Sequence, residues 1–467
     1  MTTFTFVSDS RTPYYRQIYD GYRNAILTGR LRPGERLPST RALARELGIS
    51  RLPVVNAFEQ LLHEGYVEGR VGAGTYVSAS IPDELAEAPR PHAARKTTSA
   101  TLDVPPARLG PFRVSLPALD HFPLRQWSRL LAKHAKNLRV EEMAYGDPAG
   151  YAPLRVAIAN YLRTARSVQC DAEQVLVVSG SQMALQVCAL ALLGRGTSVA
   201  IEEPGYYGAR DALQRNGATL VPIRVDDEGI DVDALDAKGK RVRAVYVTPS
   251  HQYPLGMSMT VSRRLALLEW ARRTRAWILE DDYDSEYRYA SRPLGALQGL
   301  ERDSRVIYIG TFSKVLFPSL RIGYLVVPRE LIAGFTRHRE SIDLFSPTLD
   351  QIVLTEFLEQ GHFARHLRRM RALYHARRDA LVRGLAQHAP SIVPHNTDAG
   401  LHVSAFLADG TDDVEVAAEA ARRGIDVTPL STCYAGRRSH PGLILGFGGA
   451  SERRLVAACK TLGDVIR

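Results

Sequence analysis

Apolar positions follow two different rhythms along the chain. Between residues 13 and 63 they recur at three- and four-residue spacing, the period of an amphipathic helix. In "PYYRQIYDGYRNAILTGRL", Tyr15, Ile18, Tyr22, Ala25 and Ile26 share one helical face, and Gly29 marks a stop. "LRPGERLPS" reads as a turn. "STRALARELGIS" opens on Ser39 as an N-cap and ends at Gly48, which predicts one short helix. "SRLPVVNAFEQLLHEGY" opens on Ser50 as a cap, with Pro53 in the first turn, where its missing N–H costs little. Two short helices joined by "GIS" form a helix-turn-helix signature. "YVEGRVGAGTYV", residues 66–77, follows as two strand-like pieces around a glycine-rich tip, a wing.

Past residue 110 the rhythm changes. "VLVV" (175–178), "SVAI" (198–201), "AVYVT" (244–248), "AWIL" (276–279) and "VIYIG" (306–310) are strand-length and apolar throughout. Such runs suit strands buried on both faces, as in a parallel sheet covered by helices. Helix-like stretches such as "SQMALQVCALALL" and "SRRLALLEWARRT" separate them, so the class is α/β. Between the two regimes, residues 79–110 are rich in Ala, Pro, Thr and charge and lack an apolar period, which predicts a linker. The expected organisation is a domain at 1–78, a linker at 79–110 and a domain at 111–467. In sheets of this kind ligands collect at the carboxyl ends of strands, so the residues just after each run are the candidates for chemistry.

Composition narrows the class. With 467 residues, 45% hydrophobic and 24% charged, the chain suffices for two domains without disulfides or metal. Cys170, Cys188, Cys433 and Cys459 are scattered and form no CxxC pair, which fits a reducing compartment. The N-terminus shows no basic region ahead of an apolar run, and the longest apolar run, near "VCALALLG", is too short to span a bilayer. A cytoplasmic protein is expected. The net charge of +10 allows a polyanionic partner. Residues 1–78 carry ten arginines and no lysine against seven acidic residues, so charge alone does not decide the matter.

Lysine is scarce, seven residues against 53 arginines. One of them, Lys314, lies in "GTFSKVLFPSLRIGY", a few residues after "VIYIG". Directly after "AWILE" comes "DDYDSEY", beginning with Asp281; of Asp281 and Asp282, one is expected to cap a helix. After "VLVV" comes "SGSQ", a small-residue turn opening a helix whose first N–H groups suit a phosphate. Arg321 stands in an apolar context, where an unpaired guanidinium is costly. A lysine amine for a Schiff base, an acid for a ring nitrogen and an anchored phosphate together match pyridoxal phosphate. Arginine cannot replace that lysine, because guanidinium keeps its proton and forms no such imine.

The phrases "ILTGRLRPGERLPSTRALARELGISR" and "EGYVEGRVGAGTYV" resemble the winged helix-turn-helix of GntR-type regulators. That resemblance implies binding to double-stranded DNA. Arg41, Ser50 and Arg51 would meet phosphates or bases, with Arg70 and Gly72 at the wing. Arg51 would pair with guanine edges from the start of the recognition helix. Leu52 and Pro53 follow it, where family members often carry small polar residues.

From about residue 112 onward, "YGDPAGYAPLRVAIANYL", "VSGSQMAL", "EEPGYYGAR", "TPSHQYPLG", "EDDYDSEYRY" and "GTFSKVLFPSLRIGY" resemble a fold-type I aminotransferase domain with a small C-terminal subdomain. The resemblance implies that Lys314 carries pyridoxal phosphate, Asp281 pairs with its ring nitrogen and Tyr283 touches its phenolate oxygen. Tyr206 would stack on the ring, with Tyr207 as the alternative. Gly180, Ser181, Gln182, Thr311, Ser313 and Arg321 would gather the phosphate, and Tyr145 would reach the phosphate of a partner subunit. Two departures stand out. Tyr253 in "HQYPLG" replaces the asparagine of the family's NPxG turn, and "PGLILGFGG" puts Leu443 or Ile444 where a carboxylate-binding arginine belongs. Arg437 and Arg438 are the nearby substitutes, and turnover of a standard α-amino acid is not expected.

A winged helix linked to an aminotransferase-like domain is the layout of the MocR subfamily of GntR-type transcription factors. It implies a homodimeric DNA-binding regulator, without metal or membrane partner, whose large domain senses an amine or amino-acid effector or pyridoxal phosphate itself. A partial transamination half-reaction is compatible with that role. The alternative is an active aminotransferase with a DNA-binding extension.

Overall fold

The computed structural model describes residues 4, 6, 7, 12–70, 73–79, 109–238, 242–289, 295–301, 305–436 and 440–466. Contacts divide the chain into two units, Met1–Val104 and Pro105–Arg467. The division falls within the stretch expected as a linker, of which residues 80–108 lie outside the described residues.

In the first unit, helices α1 (Tyr14–Leu27), α2 (Thr40–Leu47) and α3 (Arg51–His63) precede strands β1 (Val67–Arg70) and β2 (Gly74–Val77). The strands pair antiparallel, Val67 with Val77 and Arg70 with Gly74. α1 buries Ile18, Tyr19, Tyr22, Ala25 and Ile26 against Leu43, Val54, Phe58, Leu61 and Val77. Tyr15, expected in that stripe, lies in the first turn, is 40% exposed and takes no part in the core. The Ser39 hydroxyl accepts from Ala42 N–H at 3.2 Å and starts α2; Gly48, at φ 66°, ends it in the left-handed conformation glycine favours.

Ser50 occupies the N-cap position of α3 but makes no capping hydrogen bond. A cap oxygen accepts from the second or third helical N–H. The third residue here is Pro53, which has none, and the expected cap is lost.

The second unit holds eight strands in one sheet: β3 (Val175–Val178), β4 (Ser198–Glu203), β5 (Thr219–Asp226), β6 (Gly229–Ile230), β7 (Val242–Val247), β8 (Trp277–Asp282), β9 (Val306–Thr311) and β10 (Gly323–Val326). Their order is β3-β10-β9-β8-β7-β4-β5-β6. The run from β5 through β4, β7 and β8 to β9 is parallel. β10 is antiparallel to both neighbours, so β3 points the same way as β9. All five apolar runs lie in strands of this sheet. Val175 and Val177 share a core with Leu154 and Ile158, while Leu176 and Val178 share another with Leu185 and Cys188. Each such side chain contributes about 1.5–3 kcal/mol by leaving water.

A smaller antiparallel sheet, ordered β11-β12-β14-β13, follows from β11 (Val393–His395), β12 (His402–Phe406), β13 (Thr428–Pro429) and β14 (Gly442–Gly446). The backbone is tight at the carboxyl edge of the large sheet: a Cβ on Gly323 would come within 2.9 Å of the Gly180 Cα and 3.0 Å of the Gly310 carbonyl oxygen. All four cysteines are buried and unpaired, and no described helix is long and apolar enough to cross a membrane.

Candidate functional site

Five of the residues singled out in the sequence meet at the carboxyl edge of the large sheet. Ser181, Tyr206, Asp281, Tyr283 and Lys314 line one small cavity. Ser115, Tyr246, Thr248 and Tyr253 complete it. These four were not assigned a pocket role from sequence. Tyr246 is the last residue but one of β7 and faces the site by the pleat alone, whereas Ser115 comes from a distant segment with no motif to announce it.

Alternation along β8 sends its last two aspartates to opposite faces. Asp281 accepts from the Tyr246 hydroxyl at 2.8 Å through Oδ2, while its buried Oδ1 has no hydrogen-bond partner. Burial pushes its carboxyl up to about 7 although the Tyr246 hydroxyl pulls it down. Asp282 pairs with Arg166, Nε to Oδ2 at 2.8 Å, and accepts from the Tyr308 hydroxyl. Burial opposes its charge, yet Arg166 and Tyr308 hold its carboxyl below the usual range. Neither aspartate caps a helix, contrary to expectation, because both are still within the strand.

Lys314 follows β9, with Nζ 3.4 Å from the Ser115 carbonyl oxygen. Burial draws its amine below the ordinary lysine range, and Asp284 and Asp281 act the other way. A lowered amine pKa is what a nucleophilic lysine needs.

Gly180, at φ 91°, turns β3 into the helix Ser181–Leu192, whose first N–H groups have no partner inside the helix. Gln182 donates to the Tyr206 hydroxyl at 3.2 Å. Thr311 and Ser313 are buried at the end of β9, where Ser313 N–H donates to Thr311 Oγ1 at 3.2 Å. β10 brings them beside Gly180 by pairing Gly323 with both Thr311 and Val178. Arg321 is exposed rather than set in apolar surroundings. The short turn Pro318–Leu320 and a left-handed φ of 52° direct its guanidinium to the Ser179 carbonyl, against Gly180. Tyr206 faces the cavity, whereas Tyr207 begins the next helix and is 47% exposed.

The Tyr283 hydroxyl lies 3.0 Å from both Nδ1 and the carbonyl oxygen of His251. His251 Nδ1 is 3.1 Å from Asp284 Oδ1. With His402 these residues bring potential metal-ligating atoms within 4.8 Å of one another. His402 Nε2 meets the Pro254 carbonyl at 3.1 Å, and burial followed by His251 holds its ring down at about 4. His251, held by Asp284, is a buried hydrogen-bonded support for Tyr283, and His402 packs its ring against that of His251. These residues stand far apart in sequence, so no spacing signalled them.

Tyr145 is 85% exposed, 6.0 Å from the Phe345 ring, and outside the cavity of its own chain. Leu443 and Ile444 are fully buried in β14. Arg437 and Arg438 lie outside the described residues.

In the first unit, Arg41, Ser50 and Arg51 are exposed at the starts of α2 and α3. Arg51 Nε donates to Thr40 Oγ1 at 3.0 Å, which ties these two helix starts together at the positive ends of their dipoles. Arg70 ends β1, bonded to Glu68 at 2.8 Å and 4.6 Å over the Tyr76 ring. Gly72 lies outside the described residues.

Residues 14–77 match the family of bacterial regulatory proteins described as gntR, and residues 118–442 match aminotransferase class I and II. Over 458 residues the chain is 39% identical to the "Probable rhizopine catabolism regulatory protein MocR" of Rhizobium meliloti, covering 96% of this chain and 92% of that one. It is 32% identical over 455 residues to the HTH-type pyridoxine biosynthesis transcriptional regulator PdxR of Corynebacterium glutamicum, covering 96% and 95%. The crystal structure of Pyrococcus horikoshii kynurenine aminotransferase superposes with a TM-score of 0.71 at 29% identity, covering 76% of this chain and 90% of that one. The aminotransferase fold implies pyridoxal phosphate as cofactor, and the gntR domain implies DNA as partner. The chain belongs to the MocR-type members of the GntR family, in which a helix-turn-helix domain is joined to an aminotransferase class I and II domain.

Proposed function

We propose that this protein is a transcriptional regulator that grips double-stranded DNA with residues 1–78 and binds pyridoxal phosphate in residues 111–467. A linker over 79–110 would join the two. The large domain would sense an amine effector, or the cofactor itself, in the cytoplasm. One observation carries the reading: the Lys314 amine and the unpartnered, buried Asp281 Oδ1 share a single cavity with Ser181, the first residue of a helix.

When bound, pyridoxal phosphate supplies an electrophilic aldehyde and an electron-withdrawing ring. Lys314 would hold the aldehyde carbon. Asp281 would take the ring nitrogen through Oδ1, and Tyr246 would keep that carboxylate oriented through Oδ2. Tyr283, steadied by His251 and Asp284, would reach the phenolate oxygen, and Tyr206 would cover the ring face. Gly180, Ser181, Gln182, Thr311, Ser313 and Arg321 would hold the phosphate by N–H groups, hydroxyls and one guanidinium. Tyr145, exposed on its own chain, would complete the partner's phosphate site in a homodimer.

On DNA, Arg41 and Ser50 would meet phosphates, Arg51 a base edge, and Arg70 and Gly72 would flank the wing. The uncapped Ser50 hydroxyl supports that assignment, since α3 does not occupy it. An effector shifts DNA affinity only by its differential affinity for two states of the protein.

The test uses the full-length protein. Added pyridoxal phosphate should produce a visible absorbance band, and borohydride should fix the cofactor on Lys314. Lys314→Ala should abolish both while retaining DNA binding in a mobility-shift assay. A protein that stays colourless and unlabelled would overturn the reading. Sustained keto-acid release from amino acids would make the chain an enzyme instead.

A further inference from the structure

We infer that Leu52 reads a thymine in the bound DNA by packing on its C5-methyl group. The inference rests on the DNA-binding reading above and names what one position of the first unit recognises.

α3 divides into two faces. Val54, Ala57, Phe58 and Leu61 are buried in the core of the first unit. At about 100° per residue they centre on one side of the helix, and Leu52 falls almost directly opposite that centre. It is 67% exposed and takes no part in the core. Its neighbours on the outer face are polar. Arg51 precedes it, and Asn56 stands one turn further on; both are exposed. Arg51 Nε is held on Thr40 Oγ1 at 3.0 Å, so the first turn of α3, which carries Leu52, is tied to the start of α2.

The chemistry of that face selects the base. A helix of this kind reads base edges from its N-terminal residues, and Leu52 is the second residue of α3. In the major groove thymine alone among the four bases presents a methyl group. Leucine has neither donor nor acceptor, so against guanine, adenine or cytosine it would leave polar edges without partners. Against a thymine methyl, two apolar surfaces leave water together. Asn56 is an independent indication of the same preference, because its amide matches the N6 and N7 edge of adenine. Glu59, two turns beyond Leu52 on the outer face, is exposed and would be repelled by phosphates, which keeps the close approach at the start of the helix.

The experiment uses the full-length protein and a pool of random duplexes. After selection, the enriched duplex is remade with each thymine replaced in turn by deoxyuridine, which lacks only the C5-methyl group. Affinities are compared at one salt concentration. At one thymine or more the replacement should weaken binding about fourfold, the effect of one methyl leaving water. In Leu52→Ala the same replacement should change affinity by less than about 1.5-fold, the coupling that a double-mutant cycle detects. Leu52→Met, which keeps an apolar side chain of similar reach, should keep most of the sensitivity. Because Leu52 is exposed, both variants should melt with the unmodified protein. Binding that ignores every such replacement, or a loss equally large in Leu52→Ala, overturns the inference and leaves the DNA-binding reading in place. Failure to bind any duplex overturns both.

Discussion

Replacing Arg166 by methionine tests how the end of β8 is held. The Arg166 and Asp282 side chains are 2% and 1% exposed, with Nε 2.8 Å from Oδ2, and Arg166 Nη2 also donates to Ser250 Oγ at 2.8 Å. Methionine keeps much of the volume but leaves Asp282 a buried carboxylate without a cation. Breaking such a pair from one side costs about 3–5 kcal/mol. For a unit of roughly 360 residues the unfolding entropy is about 0.76 kcal/mol/K, so its melting temperature should fall by about 4–7 °C at neutral pH. The pH dependence has a definite sign. In the unmodified protein the Asp282 pKa is depressed, so its contribution is present above the unfolded carboxyl pKa and disappears as pH falls through the folded one. In Arg166→Met, burial without a cation raises that pKa, and stability is lost as pH rises. The gap between the two proteins should therefore widen from about pH 4 upward. Calorimetry at acid and at mildly alkaline pH measures it, and adding Asp282→Asn should recover much of the loss. A gap that ignores pH, or a double-mutant cycle with no coupling, would refute the reasoning.

Three further outcomes follow from single contacts. Tyr246→Phe removes the hydroxyl on Asp281 Oδ2, so the carboxyl should rise further above about 7, and affinity for pyridoxal phosphate at neutral pH should weaken about tenfold in a fluorescence titration. An unchanged affinity would mean that the hydroxyl does not tune the site. Ser39→Ala should cost the first unit about 1 kcal/mol, while Ser50→Ala should change its stability by less than about 0.5 kcal/mol yet weaken DNA binding; equal melting shifts would contradict the cap assignments. Arg51→Ala should reduce affinity for an operator more than for random DNA, and both should weaken steeply with salt; parallel losses on the two DNAs would remove Arg51 from base reading.

Much of the fold was legible because its signals are local. The i, i+3, i+4 spacing in α1, the serine and glycine limits of α2 and the five uninterrupted apolar runs each reflect neighbours within a turn or a strand. Where local reading failed, the competing influence was equally specific. Tyr15 has the right angular position but sits where the helix begins and stays 40% exposed. Ser50 has the right chemistry for a cap, but a proline three residues on withholds the donor. Arg321 sits among apolar residues in sequence, and a turn then carries its side chain to the surface.

The candidate site divides along the same line. Lys314, Asp281 and the small-residue turn at Gly180 could be named from sequence, because each follows an apolar run and each has a side chain, or lacks one, for a chemical reason. Their roles as neighbours depend on register. Tyr246 reaches Asp281 from 35 residues away, and Arg166 reaches Asp282 from 116. The sequence by itself determined the element types, the two-part layout and the residues able to do chemistry, since these rest on short-range periodicity and side-chain identity. Only the tertiary structure decided that Asp282 is neutralised by Arg166 on the other side of the sheet, and which distant residues join Asp281 and Lys314 around one pocket. Those outcomes depend on strand order and pleat, which join segments that no local pattern connects.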